Sequence, residues 1–144
     1  MFHKIVAAYN ESPEAERALS AAIQLAKSLD AELHAVTVMA SLPAYTAFAE
    51  VVDPALSQTL QDDHLQSYQL LSGKVQALAH RSGVEIANHL VAGDQVNAIV
   101  DFLRRQKADL LVVGLHQRDL YIARLWSTVY ELAQEAPCSV LGVH

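Results

Sequence analysis

Two runs near the carboxyl end, Asp109 to Val113 and Cys138 to Val143, constrain this chain more than any other feature. The first reads DLLVV and closes on Gly114; the second reads CSVLGV. A strand with one wet face alternates polar and apolar residues, whereas a strand covered on both faces is apolar throughout, as in a parallel sheet between helical layers. A polar, irregular span and a short helical signal separate the two runs, so the order is strand, loop, helix, strand. Open parallel sheets bind ligands at the carboxyl ends of their strands. A glycine at such an end lets the backbone turn sharply beside a crevice. The loop after Gly114 is therefore the place to look for a site.

The rest of the chain repeats that alternation. Lys4 to Tyr9 is an apolar run of strand length, followed by the turn Asn10-Glu11-Ser12-Pro13. Ser12 suits an N-cap and Pro13 the first helical position, where a missing N–H leaves nothing unsatisfied. Ala15, Ala18, Leu19, Ala22, Ile23, Ala26 and Leu29 then recur at steps of three and four, the mark of a helix lying on a sheet. Leu33 to Val38 supplies a second strand, reached by a right-handed crossover.

Met39 to Asp53 carries Pro43, Tyr45 and Phe48 and is too long and mixed for a turn. Segments of this kind are lids, partner surfaces or disordered. A long helix is predicted from about Pro54 to Ser82, with Leu56, Leu60, Leu70, Leu71, Val75 and Leu78 on its apolar side and Gly83 as its C-cap residue. Val84 to Val91 reads as a third strand with enough alternation to lie toward an edge. Asp94 opens a helix with Val96, Ile99, Val100 and Leu103 buried, and Arg104, Arg105 and Lys107 suit its carboxyl end. Thr128-Val129-Tyr130-Glu131 has capping-box spacing, which places a helix start at Thr128 with Leu132, Ala133 and Ala136 facing inward until Pro137 stops it. Five strands alternating with four main helices predict a doubly wound parallel α/β sheet with helices on both faces, as one domain over residues 1–144.

Composition excludes several classes. Hydrophobic residues make up 52% and charged residues 18%, which rules out a disordered chain. Ten basic residues against sixteen acidic give a formal charge of −6, and no basic run exists, so no nucleic-acid partner is expected. No apolar stretch approaches the roughly eighteen residues of a membrane span, and MFHKIVAAY is too short and too soon followed by charge for a signal peptide. A soluble, cytoplasmic protein with no membrane partner is the expectation. The one cysteine, Cys138, has no internal disulfide partner.

The chemistry-bearing side chains form few constellations. His3, His34, His64, His80, His89, His116 and His144 show no helical pairing and no cysteine neighbour, so no metal site is predicted. Only His116 falls in the loop after Gly114, where it is either a ligand contact or a surface histidine. Cys138, opening an apolar strand after Pro137, reads as a small buried hydrophobe. Ser127 and Thr128 lack a nucleophile elbow, and Asp62-Asp63 reads as a solvated helix face. No catalytic residue is assigned.

KIVAAYNESPEAERAL at the start, GDQVNAIVDFLRRQKADLLVVG in the middle and APCSVLGVH at the end together resemble the universal stress protein family. The resemblance implies strand order 3-2-1-4-5 and a cytoplasmic, stress-linked homodimer paired through its last strand, here Val140, Leu141 and Val143. ATP-binding members of the family carry Gly-x2-Gly-x9-Gly-Ser/Thr after the fourth strand, with backbone amides around the phosphates at a helix amino terminus. The spacing is kept here, but the positions hold Gly114, Gln117, Ser127 and Thr128. A Cβ at a glycine position obstructs a left-handed conformation or a close approach to phosphate, at roughly 1–2 kcal/mol, or about tenfold in affinity. Where the family has Asp-Gly-Ser after the first strand, this chain has Asn10, Glu11 and Ser12. Asn10 can still bond a ribose or adenine edge, and Arg118 and Arg124 either offset the charge of Glu11 or are solvated or paired with Asp119.

The candidate pocket is thus Asn10, Ser12, Val38, Gly114, His116, Gln117, Ser127 and Thr128. Three readings follow. The leading one is a non-catalytic homodimer acting on a protein partner yet to be identified, with no cofactor and no tight ATP binding. The alternative is an adenine-nucleotide module holding ATP, ADP or AMP, with or without magnesium. The third, a slow ATPase, has no named base and no Walker-type lysine.

Overall fold

The structure is a computed structural model that describes residues 1–39, 51–115 and 128–144. In chain order the elements are β1 (Lys4–Ala8), α1 (Pro13–Leu29), β2 (Glu32–Met39), α2 (Pro54–Arg81), β3 (Ala87–Ala92), α3 (Gln95–Gln106), β4 (Leu110–Gly114), α4 (Thr128–Glu135) and β5 (Ser139–Val143). The strands form one parallel sheet in the order β3-β2-β1-β4-β5, the order expected. The segment Met39 to Asp53 lies mostly outside the described residues.

Alternation along each central strand sends side chains into two separate cores. Ile5, Ala7, Leu33, Ala35, Leu110 and Val112 face α1 and α2. Val6, Val36, Leu111 and Val113 face α3 and Leu132 of α4. Because both faces are covered, Ile5 to Ala8 of β1 and all of β4 carry no polar side chain, which is why these stretches show no polar alternation. Ile5, Val6, Leu111 and Val112 are fully buried, each contributing about 1.5–3 kcal/mol.

Helix α1 sits close to the sheet because its inner stripe is built from Ala15, Ala18, Ala22 and Ala26 around Leu19 and Ile23. Ser12 caps it as expected, its Oγ accepting from the Ala15 amide at 3.1 Å. The stripe ends before Leu29, which is 46% exposed. This residue is in the last turn, where the chain reverses through the left-handed Asp30 into β2.

Three further expectations are corrected. On α2 the buried positions are Ser57, Leu71, Val75 and Ala79, whereas Leu56 and Leu70 are exposed. Leu71, Val75 and Ala79 recur at steps of four, so contact is a narrow stripe along the carboxyl half, and Leu70 stands about 100° away from it. The third strand begins at Ala87 rather than Val84. The Val84 amide instead closes the end of α2 on the Ala79 carbonyl, beside Gly83 at φ +72°, and Ile86 gives its carbonyl to Gln76. Both still pack on the core from outside the strand. On α4, Leu132 is buried and Val129 and Ala136 pack beside it, but Ala133, one position around the helix from Leu132, is exposed.

The edge position expected for the third strand is borne out: among the described residues β3 pairs only with β2. In α3, Val96, Ile99, Val100 and Leu103 are buried as predicted, and Phe102 joins them. Asp94 caps this helix, accepting from the Asn97 amide, and Arg104 and Arg105 occupy its last turn.

Candidate functional site

The strand order reverses direction between β1 and β4, and the carboxyl ends of those strands frame the place where such sheets hold ligands. Asn10 and Ser12 follow β1, Val38 lies near the end of β2, Gly114 ends β4, and Thr128 is the first residue of α4. The fold thus brings these five candidate positions to one end of the sheet. His116, Gln117 and Ser127, together with Arg118, Asp119 and Arg124, lie outside the described residues.

The polar groups after β1 are committed to the turn. Asn10 Oδ1 accepts from the Ser12 amide at 2.9 Å and from Ser12 Oγ at 2.5 Å. Ser12 Oγ therefore donates to Asn10 while accepting from Ala15, and its backbone carbonyl accepts from Glu16. The turn is an Asx-type brace on the start of α1.

Glu11 is drawn sideways: its Oε1 lies 2.9 Å from Lys74 Nζ on α2. That hydrogen bond and the carboxylate charge hold the Lys74 amine above its ordinary pKa of 10.5. Beneath them, Tyr9 is 4% exposed, and its amide donates to the Val36 carbonyl. Burial, followed by the Glu16 carboxylate, pushes the Tyr9 phenol above 10.0; Lys74 opposes the shift and Glu11 adds to it. Tyr9, Glu16 and Lys74 were not singled out by the sequence. Nothing in the sequence marks Lys74, which stands 63 residues from Glu11.

Gly114 has a role that motif reading does not supply. A Cβ there would lie 2.5 Å from the Glu14 carbonyl carbon, 2.6 Å from its oxygen and 2.8 Å from the Ala15 amide nitrogen. Gly114 is not among the residues with positive φ, so the need is for close approach rather than a left-handed turn. The first turn of α1 occupies the space a side chain would need.

Among the described residues the last strand, β5, pairs with β4 on one side and is the other edge of the sheet. Of the residues assigned to it as a pairing surface, Val140 and Val143 pack against the two cores, while Leu141 is 38% exposed. Cys138, just before it, is half-buried, and burial together with the Asp109 carboxylate pushes its thiol upward, opposed by a hydrogen bond from Leu111. Such a thiol is a poor nucleophile, in keeping with its reading as a small hydrophobe.

Among the described residues no three metal-ligating side chains converge. Two histidines do meet: His34 Nδ1 on β2 lies 2.9 Å from His89 Nε2 on β3. Sequence spacing concealed this pair, because only the β2–β3 register brings the two residues together. Among the described residues no helix is long and apolar enough to cross a membrane.

A doubly wound parallel sheet with a capped helix beginning at its switch point, beside a glycine that ends the adjoining strand, defines a Rossmann-like α/β protein. The chain belongs to the universal stress protein family, whose sequence model matches residues 1–144. It is 31% identical to a universal stress protein of Methanocaldococcus jannaschii, over 99% of this chain and 82% of that one. A solved family protein from Burkholderia pseudomallei superposes with a TM-score of 0.74 at 28% identity, covering 99% of this chain and 96% of its own. A universal stress protein solved in complex with cAMP superposes with a TM-score of 0.76 at 24% identity, covering 99% and 97%.

Proposed function

We infer that this protein is a non-catalytic, cytoplasmic stress-response protein that works as a homodimer through contacts with another protein, without holding ATP tightly. The observation that carries this reading is the packing of Gly114 against Glu14 and Ala15. The one motif glycine retained after β4 is required by helix packing whether or not phosphate binds. Its presence is therefore no argument for a nucleotide, and the other two glycine positions of the motif hold Gln117 and Ser127. On the β1 side, the Asn10 carbonyl oxygen and the Ser12 hydroxyl are already engaged with each other and with α1.

An adenine nucleotide with a single phosphate is the second reading. A relative binds cAMP, and a monophosphate asks less of the obstructed amides than a triphosphate does. Under this reading Asn10, Gly114, Ser127 and Thr128 are the contacts to mutate.

Mass spectrometry of ligands released from the purified, denatured protein separates the two readings. The first expects no nucleotide in stoichiometric amount, and the second expects an adenosine monophosphate. Calorimetry on the natural protein and on the double variant Gln117→Gly, Ser127→Gly, at equal magnesium, then tests the steric account. The variant gains ATP affinity by about tenfold, from roughly 1–2 kcal/mol of obstruction removed. Low-micromolar ATP binding by the natural protein, or no gain in the variant, overturns it.

A further inference from the structure

On the sheet face that packs against α3, Glu32, His34 and His89 form a continuous chain of hydrogen-bonding groups linking β2 to the edge strand β3. His34 Nε2 lies 2.6 Å from Glu32 Oε1, and its Nδ1 lies 2.9 Å from His89 Nε2. His34 is 5% exposed, and its ring lies edge to edge with that of His89, centroids 5.1 Å apart and planes at 20°. The His89 ring also packs on Phe102 of α3, 4.7 Å away. The register sets His34 beside Ala87 and His89 beside Val36, so the pair bridges the two strands diagonally.

The charges around this chain come from two other elements. Lys4 of β1 lies 3.6 Å from Glu32 Oε2. From α3, Arg105 acts on His89 through its charge, and Arg104 pairs with Asp101 at 3.8 Å nearby on the same helix. His34's neighbour across on β1 is the uncharged Val6.

Proton counting limits what this arrangement can accept. An ionised Glu32 can only accept, so His34 Nε2 carries hydrogen. In the neutral pair His34 Nδ1 then accepts from His89 Nε2–H. One added proton is accommodated: His34 becomes a cation donating at both nitrogens, facing Glu32 on one side and an accepting His89 on the other. A second added proton puts hydrogen on both facing nitrogens and a positive charge on both adjoining rings. The hydrogen bond then becomes a repulsive contact in a site partly closed to water.

We propose that Glu32, His34 and His89 act as an acid-sensitive latch that holds β3 to the sheet and releases it when both imidazoles are protonated. Release uncovers the edge of β2, whose unpaired amides and carbonyls are a template for another strand. The surroundings favour this response. Burial, followed by the charges of His34 and Arg105, holds His89 below its ordinary value of 6.5, while the hydrogen bond to His34 holds Glu32 below 4.5 and keeps it ionised. The unfolded or released strand binds the second proton more readily than the packed one. The latch's contribution is therefore complete above about pH 6.5 and is lost as pH falls from there through the lowered value of His89.

Hydrogen exchange at the β3 amides between pH 7 and pH 5, corrected for intrinsic exchange, tests the latch in the natural protein and in His89→Gln. Glutamine can still donate to His34 Nδ1 but does not titrate. In the natural protein the β3 opening constant rises as pH falls, by at most about twentyfold for one proton, while β1 and β4 stay protected. In His89→Gln it stays level. An equal rise in the variant, or a β3 response no larger than that of β1, overturns the proposal. Should the variant not fold, NMR titration of the natural protein decides. One histidine titrating below 6.5 together with β3 amide shifts supports the latch, and both titrating near 6.5 without such shifts refutes it.

Discussion

Gly114 and Glu14 approach so closely that a single added methyl on Gly114 would lie 2.5 Å from the Glu14 carbonyl carbon. The atoms it would meet are backbone, in the first turn of a helix already braced by Ser12, and cannot rotate away as a side chain could. Gly114→Ala is therefore expected to destabilise the protein by about 3 kcal/mol, at the upper end of overpacking effects. Urea unfolding measures this as a lower midpoint with little change in slope. A loss below about 0.5 kcal/mol would show that the glycine is not kept for packing and would reopen a ligand role for it.

Helix α3 ends on Lys107 in the left-handed region, at φ 54° and ψ 43°, with its amide bonded back to Arg104 and Leu103. A Cβ in that conformation costs roughly 1 kcal/mol that glycine avoids. Lys107 is exposed and its amide bond does not depend on the side chain. Lys107→Gly should stabilise the protein by about 0.5–1 kcal/mol, read as a higher thermal midpoint. A lower midpoint would mean that the lysine charge at the helix end outweighs the backbone term.

The proposed homodimer rests on β5 as a sheet edge with Leu141 as its exposed large apolar side chain. Leu141→Lys puts charge on that edge, a common means of blocking strand pairing, while Val140 and Val143 keep their places in the two cores. Light scattering should give a dimer for the natural protein and a monomer for the variant, with circular dichroism unchanged. A natural protein that is monomeric at tens of micromolar, a level at which even modest interfaces associate, refutes the dimer.

Hydrophobic pattern and capping chemistry are local, and they determined most of the fold. The unbroken apolar runs at β1 and β4 announced strands covered on both faces, and Ser12-Pro13 and Asp94 marked where two helices begin, because a cap satisfies amides only two or three residues away. The family too was legible in the sequence, since its motifs are runs of neighbouring residues. The extent of contact was not. Leu29, Leu56, Leu70 and Ala133 continue an apolar pattern but lie outside the buried stripes, because periodicity names a helix face without saying how far the opposing surface reaches. Tertiary structure alone decided the groups that meet across long separations. Register set His34 diagonally across from His89, the path of α2 brought Lys74 to Glu11, and the approach of α1 to β4 gave Gly114 its reason. A hydrogen bond or a clash depends on distances of a few tenths of an ångström, and such distances are fixed only when strand register and helix seating are fixed together.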